Sequence, residues 1–388
     1  MLTEPGLDNA LELLNARAQT LREWAETLRP ETGERGRFRW ARQSTRDANV
    51  AASGYMMLGL RNLGALDLLT AADRAEGTAW VEAMHLGQQQ YRDPAILDRR
   101  PDNWPADRPF PDPALLQTIN QYAQQTLRYL GSGQKLPLPD PPPGIPQRHE
   151  SERALDYIRS LPWDTNPWGA GSHAMRMATC LLNWYLQGEA ELRPLVEALR
   201  WLYAQQSAET GLWGAAETSL HLRINGTFKL FPLLCETLRL PLPHAERIID
   251  TVLEEFARPD YEVGLGACSE WDNWYVLGIA GRYSQHRRED VRAMAIHRLQ
   301  RLTIFETADG GYSYCPGACI TAWCGVDMAP AMAQGDCMGL AILGHAIAVC
   351  VEVLELAEQT PWRPDYAIAF LDPVAPALTD QLRGKLGL

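Results

Sequence analysis

The sequence predicts an all-α chain, an (α/α)6 toroid of six inner and six outer helices forming one domain over residues 1–388. Three observations predict it. Apolar residues recur at helical spacing almost throughout, and no stretch alternates with period two over successive strands. Proline and glycine clusters cut the chain into about twelve segments. Those segments alternate in kind: a charged, amphipathic one is followed by one that is more apolar or opens on small and polar residues.

The first pair is 7–28, with Leu11, Leu14, Ala18, Leu21 and Trp24 on one stripe, followed by 47–63. The next pairs are 74–90 with 113–130, 151–161 with 171–186, and 190–206 with 221–238. The last two are 243–257 with 268–282, and 289–305 with 334–356. A helix with one polar face suits an outer wall, and one apolar almost all round suits the interior. Six such pairs form a repeat that closes on itself and hides both ends of the array. The proline-rich stretch 136–147 cannot be helical, because proline lacks the N–H and clashes in a helix interior. It reads as a surface loop within one ring.

The 388 residues are 46% hydrophobic, enough for a large core. A net charge of -12 argues against nucleic acid as a partner, which wants clustered Lys and Arg. It also disfavours an anionic membrane surface. Met1 to Asp8 show no basic start followed by an apolar run, so they are not expected to be a secretory signal. The most apolar stretch, 338–356, carries His345, Glu352 and Glu355 and so reads as a buried helix rather than a transmembrane one. Eight irregularly spaced cysteines suggest reduced thiols in the cytoplasm. Cys315, Cys319, Cys324 and Cys337 match no common zinc spacing, so no metal and no cofactor is expected. Trp outnumbers Phe 13 to 7, which suits a greasy but oriented cavity.

Between 201 and 214 the chain reads Trp-Leu-Tyr-Ala-Gln-Gln-Ser-Ala-Glu-Thr-Gly-Leu-Trp-Gly. Gln206, Gly211 and Trp213 there have a structural logic: Gln caps free backbone groups, Gly turns the chain, and the ring plugs the gap between repeats. Weaker copies are Asp309–Tyr314 and Gln88–Pro94. This pattern resembles the glutamine–tryptophan repeat of squalene and oxidosqualene cyclases. Gln334-Gly335-Asp336-Cys337 is similar to the start of the inner helix that carries the proton donor in that family, although Met338 stands where the family has Thr. The resemblance, shared at the level of fold with protein prenyltransferases, implies an α/α toroid. It also implies protonation-initiated cyclisation or isomerisation of an isoprenoid-type substrate, with Asp336 as the donor.

Polar residues recur where the inner helices open: Asp47 and Asn49; Ser172, His173 and Arg176; His221, Arg223 and Asn225; Glu270, Asp272 and Asn273; and Asp336. Helix capping accounts for Ser, Asp and Asn at such places. A polar ring around an aromatic-walled cavity is the functional alternative. A working acid at Asp336 needs a raised pKa, from burial or from a second carboxylate such as Asp327, Asp272 or Glu270. Trp271, Trp274, Tyr312, Tyr314, Trp323, Trp168 and Trp184 are the expected wall, because aromatic faces stabilise cations and stack on sugars. His221, Arg223, Asn225 and Tyr312 are also the residue types of a carbohydrate-active toroid, a lyase, hydrolase or epimerase. A non-catalytic binding toroid is a third reading. The expected ligand is accordingly a small isoprenoid or a saccharide.

Overall fold

The structure is a computed structural model that describes residues 4–86, 90–102, 104–132, 141, 144–261, 266–366 and 372–388. It is 59% helix and 3% strand, with fourteen α-helices among the described residues, so the all-α expectation holds. No helix among them is long and apolar enough to cross a membrane.

Along the chain, α1 (Glu4–Glu26), α2 (Val50–Asn62), α3 (Ala71–Ala83), the short α4 (Pro94–Leu97) and α5 (Pro113–Leu130) come first. Next are α6 (Ala154–Ser160), α7 (Pro167–Leu186), α8 (Arg193–Gln205), α9 (Leu220–Phe231) and α10 (Ala245–Phe256). Then follow α11 (Ala267–Tyr283), α12 (Arg288–Arg301), a hairpin of β1 (Ala322–Trp323) and β2 (Val326–Asp327), α13 (Cys337–Val353) and α14 (Pro376–Leu386). Eleven of the twelve expected segments coincide with a helix to within a few residues. The twelfth, 74–90, stops at α3, and Gly87–Gln89, with two residues of the third motif echo, lie outside the described residues. Most of the proline-rich stretch also lies outside them; its end, 144–147, is irregular and leads into a 3-10 turn at Arg148–Arg153. The sequence reading did not anticipate α14.

Two compact units emerge. The first comprises Met1–Pro139, Gly264–Trp271 and Arg292–Asp365; the second comprises Asp140–Val263, Asp272–Val291 and Tyr366–Leu388. In the first, α13 packs along α2, and α2 packs along α5, whose outer neighbour is α3. α13 is apolar on all sides and buried from Cys337 through Val351 apart from Met338. The close approach of α13 to the preceding chain requires Gly339, where a Cβ would fall 2.6 Å from the Tyr312 carbonyl oxygen.

In the second unit, α7 packs along α9, with α6 and α8 beside α7. Their backbones meet at Gly171 and Gly226, where a Cβ on Gly171 would lie 2.4 Å from the Gly226 carbonyl oxygen. The 201–214 motif does what its chemistry predicts. Gln206 Nε2 donates to the carbonyls of Gly211 (2.8 Å) and Pro243 (2.9 Å). Gly211 takes φ +73. Trp213 is fully buried, and its Nε1 donates to the Leu202 carbonyl in the last turn of α8 at 2.7 Å. In the first unit the weaker copy uses Asp309 in place of Gln, accepting from Thr307, Gly311 and Gly335 and from Trp24 Nε1.

Candidate functional site

The helix starts separate caps from other polar residues. Asn49 caps α2 and Asp336 caps α13, as capping predicts. Of the other inner segments, α5 is capped by Asp112, α7 by Asn166 and α9 by Ser219. Because α7 already begins at Pro167, Ser172, His173 and Arg176 lie one to two turns inside it. On α9 Arg223 ends the first turn and Asn225 lies in the second; on α11 Glu270 lies in the first turn and Asp272 and Asn273 in the second.

The first unit holds Asp336, Asp327, Glu270, Trp271, Tyr312, Tyr314 and Trp323. Asp336 is fully buried; its Oδ1 accepts from the Gly339 amide (2.7 Å), and its Oδ2 accepts from the amides of Tyr314 (2.9 Å) and Ile320 (3.1 Å). Burial pushes its pKa up to about 7 against the pull of these amides. Any proton on the carboxyl must displace an N–H already aimed at it. This geometry suits a cap that ties two loop segments to a helix better than a group that hands a proton to a substrate.

Asp327 sits on the hairpin, paired with Arg46 (2.9 Å) and Arg99 (2.5 Å). Those arginines help hold it below the usual carboxylate range despite partial burial, so it does not serve as a raised acid. Glu270 forms a buried ion pair with Arg298 of α12. The Trp271 ring lies 6.0 Å from that of the buried His345. Tyr312 is buried, its ionisation further opposed by desolvation, and its hydroxyl neighbours are Arg17 and Glu306 rather than a polar cavity. Tyr314 packs over Gly266. Trp323 joins a ring cluster the sequence did not single out, 5.5 Å from Tyr122, which lies 4.6 Å from Tyr55.

The second unit holds Asp272, Asn273, Trp274, His221, Arg223, Asn225, His173 and Trp168. Asp272 is fully buried, and desolvation pushes its pKa up to about 7, opposed by the charge of Lys229. Three residues on, Tyr275 shares its side of the helix; the Tyr275 ring meets Phe228 at 4.8 Å and Tyr366 at 5.3 Å. The Lys229 ammonium lies 4.3 Å from the Phe228 ring centre and 5.7 Å from that of Trp168. Asn273 donates to the Tyr261 hydroxyl at 3.0 Å. Trp274 is fully buried 5.0 Å from Phe256, and its Nε1 and the Asn273 Oδ1 make no hydrogen bond.

His221 and Asn225 meet on α9 at 3.3 Å, and burial lowers the His221 pKa. Arg223 points elsewhere, donating to Thr210 Oγ1 at 2.7 Å and so pinning α9 to the 201–214 turn. His173 is exposed and contacts Tyr157 of α6, a partner the sequence did not suggest. Trp168 is 43% exposed, which removes it from the expected cavity wall and makes it a surface platform.

The four cysteines do not share one setting: Cys315 lies close enough to feel Cys319 and Asp336, Cys319 Sγ donates to the Pro330 carbonyl, Cys324 is exposed on the hairpin turn, and Cys337 is buried. Among the described residues no three of His, Cys, Asp and Glu come together as a metal would need. No protein-family model matches the chain, and a search of curated proteins finds no match.

Proposed function

We propose that the helices close into an (α/α)6 toroid and that the protein is an enzyme that starts cyclisation or isomerisation of an isoprenoid-type substrate by protonating it, with Asp272 as the acid. The observation that carries this reading is the setting of Asp272: a fully buried carboxyl inside a helix, near rings, protonated near neutrality. Transfer of its proton to an alkene or epoxide leaves a carboxylate, which the nearby charge of Lys229 favours. The cation formed on the substrate is stabilised by aromatic faces such as Phe228 and Tyr275. Loss of a substrate proton back to the carboxylate closes the cycle.

The toroid reading is supported by neighbour order. Within the first unit α2 packs beside α5, and the last inner segment, α13, lies against the first, α2; within the second unit α7 packs beside α9. The contact of α13 with α2 is what ring closure needs.

The test is a panel of linear isoprenoid alkenes, alcohols, diphosphates and epoxides, with products read by gas chromatography–mass spectrometry. Cyclic or isomerised products of unchanged mass are expected with the wild type. Losing a positioned acid costs roughly 10²–10⁴-fold in rate, so Asp272→Asn is expected to lose at least a hundredfold. Turnover retained in Asp272→Asn sinks the assignment.

A saccharide substrate is the second reading, favoured by the exposed Trp168 platform beside Lys229 and by the half-buried His221–Asn225 pair. Turnover of a polysaccharide panel that is lost in His221→Asn, with none on isoprenoids, selects it.

A further inference from the structure

A cleft of about 660 Å³ opens in the second unit where the end of the proline-rich stretch meets α6. Its size falls within the range of small-molecule pockets, roughly 300–1,000 Å³. Part of its lining is apolar, from Pro141, Ile145 and Pro146. Gln147 fixes that part: its Nε2 donates to the carbonyls of Pro141 (3.1 Å) and Ile145 (2.8 Å), so a ligand meets a preformed surface.

The rest is helical and polar. Asp156, Tyr157 and Ser160 share one side of α6, and Glu150 and Arg153 of the preceding 3-10 turn line the cleft with them. The charged members are two carboxylates and one guanidinium. Glu150 and Arg153 pair at 2.5 Å, and the second Glu150 oxygen accepts the Gln147 amide at 3.2 Å, so both of these charges are committed. Asp156 is exposed and makes no ion pair among the described residues. The lining therefore carries one unopposed negative charge. Beside Asp156, Tyr157 is half-buried, and its hydroxyl lies 3.1 Å from His173 Nδ1 of α7, which tethers the ring by its tip.

We propose that this cleft binds a small organic ammonium ion, its charged head held between the Asp156 carboxylate and the Tyr157 ring and its apolar body laid against Pro141, Ile145 and Pro146. The carboxylate attracts the ammonium, and an aromatic face adds to that attraction. The proline wall takes the apolar part out of water. An anion of the same shape meets the Asp156 charge as a repulsion. The cleft shares no residue with the acid assigned to Asp272, so its failure leaves that reading untouched.

The probe is benzylammonium, with benzyl alcohol as the uncharged isostere and benzoate as the anion, each added to the full-length protein. Calorimetry gives the affinity, and the Tyr157 ring protons in NMR, assigned by their loss in Tyr157→Leu, give the place. Those signals should shift saturably with benzylammonium. An exposed carboxylate and a ring face each contribute modestly, so Asp156→Asn and Tyr157→Leu should each weaken benzylammonium by about threefold. The alcohol loses both attractions and should bind about tenfold more weakly, and benzoate more weakly still. In the wild type, added salt should weaken benzylammonium and spare the alcohol, a comparison that needs no variant to fold. Tyr157 signals indifferent to benzylammonium overturn the proposal. So does an affinity for the alcohol or benzoate equal to that for the ammonium, an affinity for the ammonium that salt leaves unchanged, or full affinity in folded Asp156→Asn.

Discussion

Replacing Asp272 with Asn should cost activity and increase stability, and the size of the gain depends on pH. Burial moves the carboxyl from an ordinary 3.8 to about 7. At 1.36 kcal/mol per pKa unit, ionising it in the folded chain costs about 4 kcal/mol more than in the unfolded chain. Below about pH 4 the group is protonated in both states and contributes nothing. Between about pH 4 and 7 the folded protein keeps a proton that the unfolded chain has released, so stability falls as pH rises; above about 7 the loss is complete. Asp272→Asn stays neutral throughout. Its advantage over wild type should therefore grow from near zero at about pH 4 to about 4 kcal/mol at about pH 8. Urea unfolding at a series of pH values measures that gap, and the carboxyl carbon shift in NMR gives the midpoint directly. A stability difference that stays constant across this range, or a midpoint near 4, would mean that Asp272 ionises normally. The proposed acid would then carry no proton at neutral pH, and the mechanism built on it would fail.

Trp213→Ala removes a fully buried indole and its bond to the Leu202 carbonyl. It should lower unfolding free energy by about 3–5 kcal/mol in a denaturant titration, and an unchanged midpoint would contradict its role as the plug between α8 and α9. Asp336→Asn should destabilise by about 2–4 kcal/mol, because an amide nitrogen replaces one of two oxygens that accept backbone N–H groups. A fully stable Asp336→Asn would show that a simple cap suffices there. Arg298→Met strands Glu270 in the core and should cost about 3–5 kcal/mol, with much of it recovered in the double variant Glu270→Gln/Arg298→Met. Thermal melts of the three proteins decide it.

Helix positions were legible because periodicity and punctuation are local. Asn166-Pro167 and Asp112-Pro113 even spell out cap-then-proline starts. Reading those pairs would have placed the beginning of α7 four residues earlier than 171 and His173 in its second turn rather than at its start. The turn at 201–214 was legible for the same reason, since Gln206, Gly211 and Trp213 act within one connection. Partners distant in sequence were not legible. Nothing near Glu270 announces Arg298, nothing near Asp327 announces Arg46, and nothing near His173 announces Tyr157.

The same limit explains why Asp336 and Asp272 look alike in the sequence and differ in the fold. Both are acidic residues near the start of an apolar helix, and burial raises both. The difference is one of position within the helix. A cap lies where amide N–H groups have no helical partner, so its carboxyl is bonded to them and used up in holding the chain. A carboxyl in the second turn meets amides already committed to the helix, so it is not tied to the helix start as a cap is, and the charge of Lys229 favours its ionised form. A proton that must be given to a substrate belongs on the second kind. By that argument Asp336 serves as a joint of the fold, and Asp272 is the better candidate for the acid of the proposed reaction.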